Sequence, residues 1–276
     1  MREIRAGLHA MKPETILLER REKLGIVKLN HPKKRNALGS KLIGELIEGL
    51  REFDHDPEVY VIVLMSAVPG VFCAGRDLTE ASSTSVSDII RQREFSSKPA
   101  QLWSTLRSLR KVVVCAVNGY ALAGGCGLAV CCDLVIAAED ATFGLPEIHV
   151  GLFPGTIGPA MIRNVGSLKK CFELFLTGDR FSAQEAERMG MINKVVPADQ
   201  LEEAAMELAG RIASKSPAIT QMGKEFFYTI LDMEYSKALR YGKELISIMA
   251  VTEDGMEGQK AFVEKRKPAW KKPASW

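Results

Sequence analysis

Several absences narrow the possibilities before any motif is considered. No apolar run approaches the ~18 residues that a membrane-spanning helix needs. The longest stretch of that character, residues 112–138, is broken by Asn118, a cluster of glycines and Asp133. The first residues, MREIRAGLHAMKPE, lack the apolar segment of a secretory signal. Residues 1–13 are therefore read as a flexible tail and the protein as cytoplasmic. Histidine is scarce, and the four present (His9, His31, His55, His149) have no metal-ligand spacing. The six cysteines form no C-x-x-C pair and lie mostly in apolar surroundings, which reads as buried free thiols in a reducing compartment. A net charge of +3 is too small to argue for nucleic acid.

What is present is ordinary for a large globular core: 276 residues, 46% hydrophobic and 26% charged. After the tail, residues 15–18 and 25–29 read as a hairpin. HPKKRNAL (31–38) follows, a polar loop whose Lys33, Lys34 and Arg35 suit either a solvated turn or a phosphate contact. Residues 40–53 place Leu42, Ile43, Leu46, Ile47, Leu50 and Phe53 on one helical face. Val59–Met65 reads as a strand buried on both faces. SAVPGVFCAGRDL comes next, then a serine-rich stretch (80–88) read as a mobile lid, then a helix over 89–110. Ser182 with Glu185 fits a capping box, and residues 191–197 read as a last strand. Beyond 198 four helical patterns follow without strands. We therefore expect a strand–helix core at 14–198 and a helical subdomain at 199–276 that covers the core or a neighbouring subunit.

The rest of the chain is organised around residues 111–155, KVVVCAVNGYALAGGCGLAVCCDLVIAAEDATFGLPEIHVGLFPG. They read as a buried strand, a glycine-rich turn, a short helix, a second strand and a loop carrying Glu147. A strand entering glycines and then a helix aims several backbone N–H groups at one point. That seat suits a bound anion, or an oxyanion formed only during reaction. One carboxylate beside it suggests proton transfer next to a carbonyl. The G-G-x-G run lacks the G-x-G-x-x-G spacing of a dinucleotide site.

NGYALAGGCGLAVCCDLVIAAEDATFGLPEIHVGLFPG resembles the signature region of the crotonase (enoyl-CoA hydratase/isomerase) family. VFCAGRDL (71–78), HPKKRNAL and AFVEKRKP (261–268) resemble further family segments, in the family's order. The resemblance implies an α/β fold, a crotonase-like spiral of repeated ββα units with a C-terminal helical subdomain, commonly assembled as a homotrimer or hexamer. It implies an acyl-CoA substrate, coenzyme A being part of that substrate with no tightly bound cofactor. The backbone N–H groups of Arg76 and Gly124 match the pair that holds the thioester oxygen, and Glu147 the acid/base carboxylate. Lys34, Arg35, Ala74, Asp77, Leu78, Phe262 and Lys265 match coenzyme A or acyl contacts, the last two reaching a neighbouring chain's site.

One departure is specific. Hydratases of the family usually carry a second glutamate where this chain has Gly127. A single carboxylate suffices to move a proton between C2 and C4, so the expectation leans toward a double-bond isomerase. Hydration with another means of activating water is the alternative. An RNA-binding relative is disfavoured by the small charge.

Overall fold

The computed structural model describes residues 13–82 and 89–272. Residues 1–12 of the expected tail and 83–88 of the expected lid lie outside the described residues. The first half of the chain runs β1 (Ile16–Arg21), β2 (Leu24–Leu29), α1 (Ser40–His55), β3 (Val61–Ser66), β4 (Val71–Cys73), α2 (Leu78–Ser82) and α3 (Ile89–Ser108). It continues with β5 (Val112–Val117), β6 (Tyr120–Leu122), α4 (Gly124–Val130), β7 (Leu134–Ala138), β8 (Thr142–Gly144), α5 (Gly158–Asn164) and α6 (Leu168–Thr177). β9 (Arg180–Ser182), α7 (Ala183–Arg188) and β10 (Lys194–Val196) precede α8 (Leu201–Ala213), α9 (Pro217–Ile230), α10 (Tyr235–Val251) and α11 (Glu253–Val263).

Two sheets organise these elements. The larger has the order β1-β2-β3-β5-β7-β10 and the smaller β4-β6-β8-β9. From β2 onward the larger sheet is parallel. Three successive repeats, β3–β4, β5–β6 and β7–β8, each give their first strand to the larger sheet and their second to the smaller. That alternation winds the chain into the expected α/β spiral of ββα turns. The apolar runs of β3 and β5 are buried almost throughout, as parallel strands covered on both faces must be. α1 packs on β1, β2 and β3, and α8 lies across β2, β3, β5 and β7.

Local chemistry explains the boundaries. The six apolar residues of the α1 face are all buried. The capping box at α7 is formed: Ser182 Oγ accepts from the Glu185 N–H, and the Glu185 carboxylate accepts from the Ser182 N–H at 2.9 Å. The cysteines are free thiols, five of them buried and Cys131 partly so. Burial pushes the Cys73 thiol up to about 12. No helix among the described residues is long and apolar enough to cross a membrane.

α9 is fastened to the sheet by a buried charge cluster. Lys224 Nζ, nearly inaccessible, donates to Asp133 Oδ2 at 2.7 Å and to the Lys111 carbonyl at 2.9 Å. Tyr228 Oη donates to Asp133 Oδ1 at 2.7 Å, and the Val113 N–H donates to Asp133 Oδ2 at 2.7 Å. Both oxygens of this carboxylate therefore have a donor. By contrast α10 buries none of its residues.

Candidate active site

The small sheet decides where the site lies. β4, β6 and β8 are parallel neighbours, so their C-terminal ends face the same way. Gly75 and Arg76 follow β4, Gly124 follows β6, and Glu147 follows β8 in a 3-10 turn over Pro146–Val150. Three short neighbouring strands thus bring together residues up to 72 positions apart (75 to 147).

The first of these loops is locked by the polar 31–38 segment. Asn36 is fully buried with a left-handed backbone (φ 54°), a conformation asparagine tolerates better than other non-glycine residues. Its Nδ2 donates to the Phe72 carbonyl and to Ser66 Oγ, both at 2.9 Å, and its Oδ1 accepts from the His31 N–H at 2.7 Å. The backbone closes the same seam: Ala74 N–H to the Arg35 carbonyl, Leu38 N–H to that of Gly75, and Asp77 N–H to that of Leu38, at 3.1, 2.7 and 3.3 Å. Gly75 has φ 93°, and a methyl there would stand 2.7 Å from both Ala123 Cβ and the Leu122 carbonyl oxygen. Only glycine fits.

The second loop meets the first closely. A methyl added to Gly75 would lie 3.3 Å from the Gly124 nitrogen, and one added to Gly124 would lie 3.9 Å from the Arg76 nitrogen. Surrounding amides are engaged inside the protein, that of Ala123 on the Gly144 carbonyl at 2.8 Å. Those of Arg76 and Gly124 have no backbone acceptor among the described residues. Two adjacent, uncommitted N–H groups result. Ala123, at the start of α4, holds φ 49° and ψ −124°, a strained conformation for a residue with a side chain.

These amides open on a cavity of about 290 Å³ whose walls include Arg76, Trp103, Gly124, Glu147, Leu152 and Ile157. Burial raises the Glu147 pKa above its ordinary value, and its Oε2 has no hydrogen-bond partner among the described residues. Leu152 and Ile157 give this carboxylate apolar neighbours in the cavity wall. At Gly127 an added methyl would stand 2.2 Å from Ile157 Cγ2 and 3.5 Å from Trp103. The place where the resemblance puts a second glutamate is filled by hydrocarbon.

The remaining candidate residues are distributed unevenly. Ala74 and Leu78 line the cavity. Lys34 forms an ion pair with Asp77 at 2.5 Å. Although burial works to raise the Asp77 pKa, hydrogen bonds from Lys34 and Thr79 hold it down at about 2. Asp77 is therefore a structural knot between the basic loop and the start of α2. Arg35 is exposed, its backbone left-handed (φ 51°). Phe262 is 85% exposed on α11 and Lys265 lies just beyond that helix; neither lines the cavity. The Arg76 side chain does not turn outward from the site. Instead its guanidinium lies over the Phe95 ring at 4.0 Å, with Nε and Nη2 buried. Sequence reading had missed Asn36, Phe95 and Ile157. Asn36 alone carried a signal, as a turn-forming residue beside the basic cluster.

The profile of the enoyl-CoA hydratase/isomerase family matches residues 19–273. The chain is 39% identical to a probable enoyl-CoA hydratase of Mycobacterium leprae over 94% of this chain and 98% of that one. It is 40% identical to the mitochondrial enoyl-CoA hydratase of Pongo abelii over 94% and 88% of the two chains. A crystal structure of an enoyl-CoA hydratase from Mycobacterium smegmatis superposes with a TM-score of 0.88 at 31% identity, over 93% of this chain and 99% of that one. With this fold and these likenesses, the chain belongs to the enoyl-CoA hydratase/isomerase family, the crotonase family. It is an acyl-CoA enzyme of that family.

Proposed function

We propose that this enzyme moves the double bond of an enoyl-CoA between positions 3 and 2 through a thioester dienolate. The carboxylate of Glu147 removes a proton from C2 of the 3-enoyl thioester, and the electron pair passes onto the thioester oxygen. The N–H groups of Arg76 and Gly124 hold that oxygen as its charge develops, each well-aimed donor contributing roughly 3 kcal/mol to the barrier reduction. Glu147 then returns the proton at C4, and the double bond comes to rest between C2 and C3. Proton count and charge balance without a second base. A buried carboxyl with a raised pKa suits both halves of the transfer.

The observation that carries this reading is the hydrocarbon at Gly127, where Ile157 leaves no room for a second carboxylate. Lys34, Arg35, the backbone of Ala74, Asp77 and Leu78, and the residues Phe262 and Lys265 are proposed to contact coenzyme A or the acyl group. Phe262 and Lys265 would do so at a neighbouring chain, in a homotrimer or hexamer. No tightly bound cofactor is invoked. The test is to incubate the protein with 3-enoyl-CoA and 2-enoyl-CoA and follow both products, with Glu147→Gln alongside. Interconversion by the wild type and its loss in the variant are expected; equal rates in the two proteins would remove Glu147 from the reaction.

The names of the relatives favour a second reading, hydration of a 2-enoyl-CoA. Water would then add at C3 with Glu147 as the one titrating group. Formation of 3-hydroxyacyl-CoA faster than double-bond migration would select it.

A further inference from the structure

The cavity wall carries a positive charge that the proton transfer does not use. The Arg76 backbone N–H serves the thioester oxygen, yet its guanidinium also lies in the wall, with Nε and Nη2 buried and unpartnered. Among the described residues its one specific contact is the face of Phe95 at 4.0 Å. Among the described residues it forms no ion pair, although the Glu80 charge is felt there. Glu147, across the cavity, is governed by burial, and its Oε2 is itself unpartnered. Glu80 acts on Arg76 through space, and its oxygens accept from the Ser40 N–H at 2.8 Å and from Ser40 Oγ. Trp103, another wall residue, has a buried Nε1 that likewise lacks a partner.

A guanidinium and an indole N–H only donate hydrogen bonds. A partly desolvated cation with no hydrogen-bonded counter-ion among the described residues is costly, so the missing group is an acceptor and preferably an anion. We propose that the acyl group of the substrate carries its own carboxylate, and that the Arg76 side chain receives it. The same residue presents the amide for the thioester oxygen. The two ends of the acyl group therefore lie within one arginine side chain of each other, which calls for a short dicarboxylic acyl-CoA. This rests on the acyl-CoA reading above and adds the substrate class to it.

The test is isothermal titration of the full chain with saturated thioesters, which can neither isomerise nor hydrate. Pentanoyl-CoA is compared with glutaryl-CoA, with succinyl-CoA and adipyl-CoA to bracket length and free coenzyme A as reference. A charge-assisted pair should favour at least one diacid thioester over pentanoyl-CoA by about tenfold or more. That ratio should collapse toward unity in Arg76→Met and be partly retained in Arg76→Lys. Absence of any preference in the wild type would overturn the proposal without recourse to a variant. So would a preference that survives in Arg76→Met. Equal weakening of free coenzyme A and all thioesters in Arg76→Met would make the side chain a coenzyme A contact instead. Failure of every coenzyme A ligand to bind the wild type would overturn the acyl-CoA reading as well.

Discussion

Glu147 is a side chain whose surroundings oppose its charge. Its folded pKa is raised by burial, so between the ordinary carboxylate value and the raised one the folded protein holds a proton that the unfolded chain has released. Stability therefore falls as pH rises through that window, and the loss persists at neutral pH. Glu147→Gln should be more stable than the wild type at neutral pH, with the difference vanishing in acid where both states are protonated. Denaturant titrations at the two pH values would show this. The same variant should lose on the order of 10²–10⁴ in turnover, and the acid limb of kcat/KM in the wild type should lie above the usual carboxylate range. Gly127→Glu tests the opposite side of the pocket. Its side chain would meet Ile157, so it should cost about 1–3 kcal/mol by overpacking and leave hydration no faster. Thermal melting and product analysis would check both parts.

At the level of elements, two backbone features hold the paired amides in place. Asn36→Ala removes the hydrogen bonds to Phe72, Ser66 and His31 and puts alanine into a left-handed conformation. A loss of about 2–4 kcal/mol and a fall in turnover are expected, read by urea denaturation and by rate. Ala123 is strained already, so Ala123→Gly should stabilise the fold by about 1 kcal/mol, measured the same way. Much of the larger sheet was legible: the apolar runs of β3 and β5 and the face of α1 announce themselves by length and period. The smaller sheet was not. β4, β6, β8 and β9 are three residues each, too short for an alternating pattern, and two of them lie in stretches that read as a glycine-rich turn and a loop. Arg76, Gly124 and Glu147 could be named from motifs. Their convergence depends on strand pairing, and the contacts of Ile157 and Phe95 come from segments whose spacing says nothing about what they face.

Across the whole molecule, the C-terminal helices differ in how they are held. α9 is tied in by Lys224, and Lys224→Met would leave the buried Asp133 without its cation, a loss of about 3 kcal/mol visible in the denaturation midpoint. α10 and α11 instead display Tyr235, Leu239, Ile246, Val251, Phe262 and Val263 to the exterior. If those side chains lie between subunits, Ile246→Glu should shift sedimentation toward smaller species; an unchanged distribution would place the contact elsewhere. The three-residue strands lead into the residues proposed to react. The scaffold that aims the proposed reacting groups is stitched by far fewer pairings than the broad sheet beside it. Mild denaturant should therefore silence the enzyme while its circular dichroism is still that of the intact protein, so catalysis is the first property to melt.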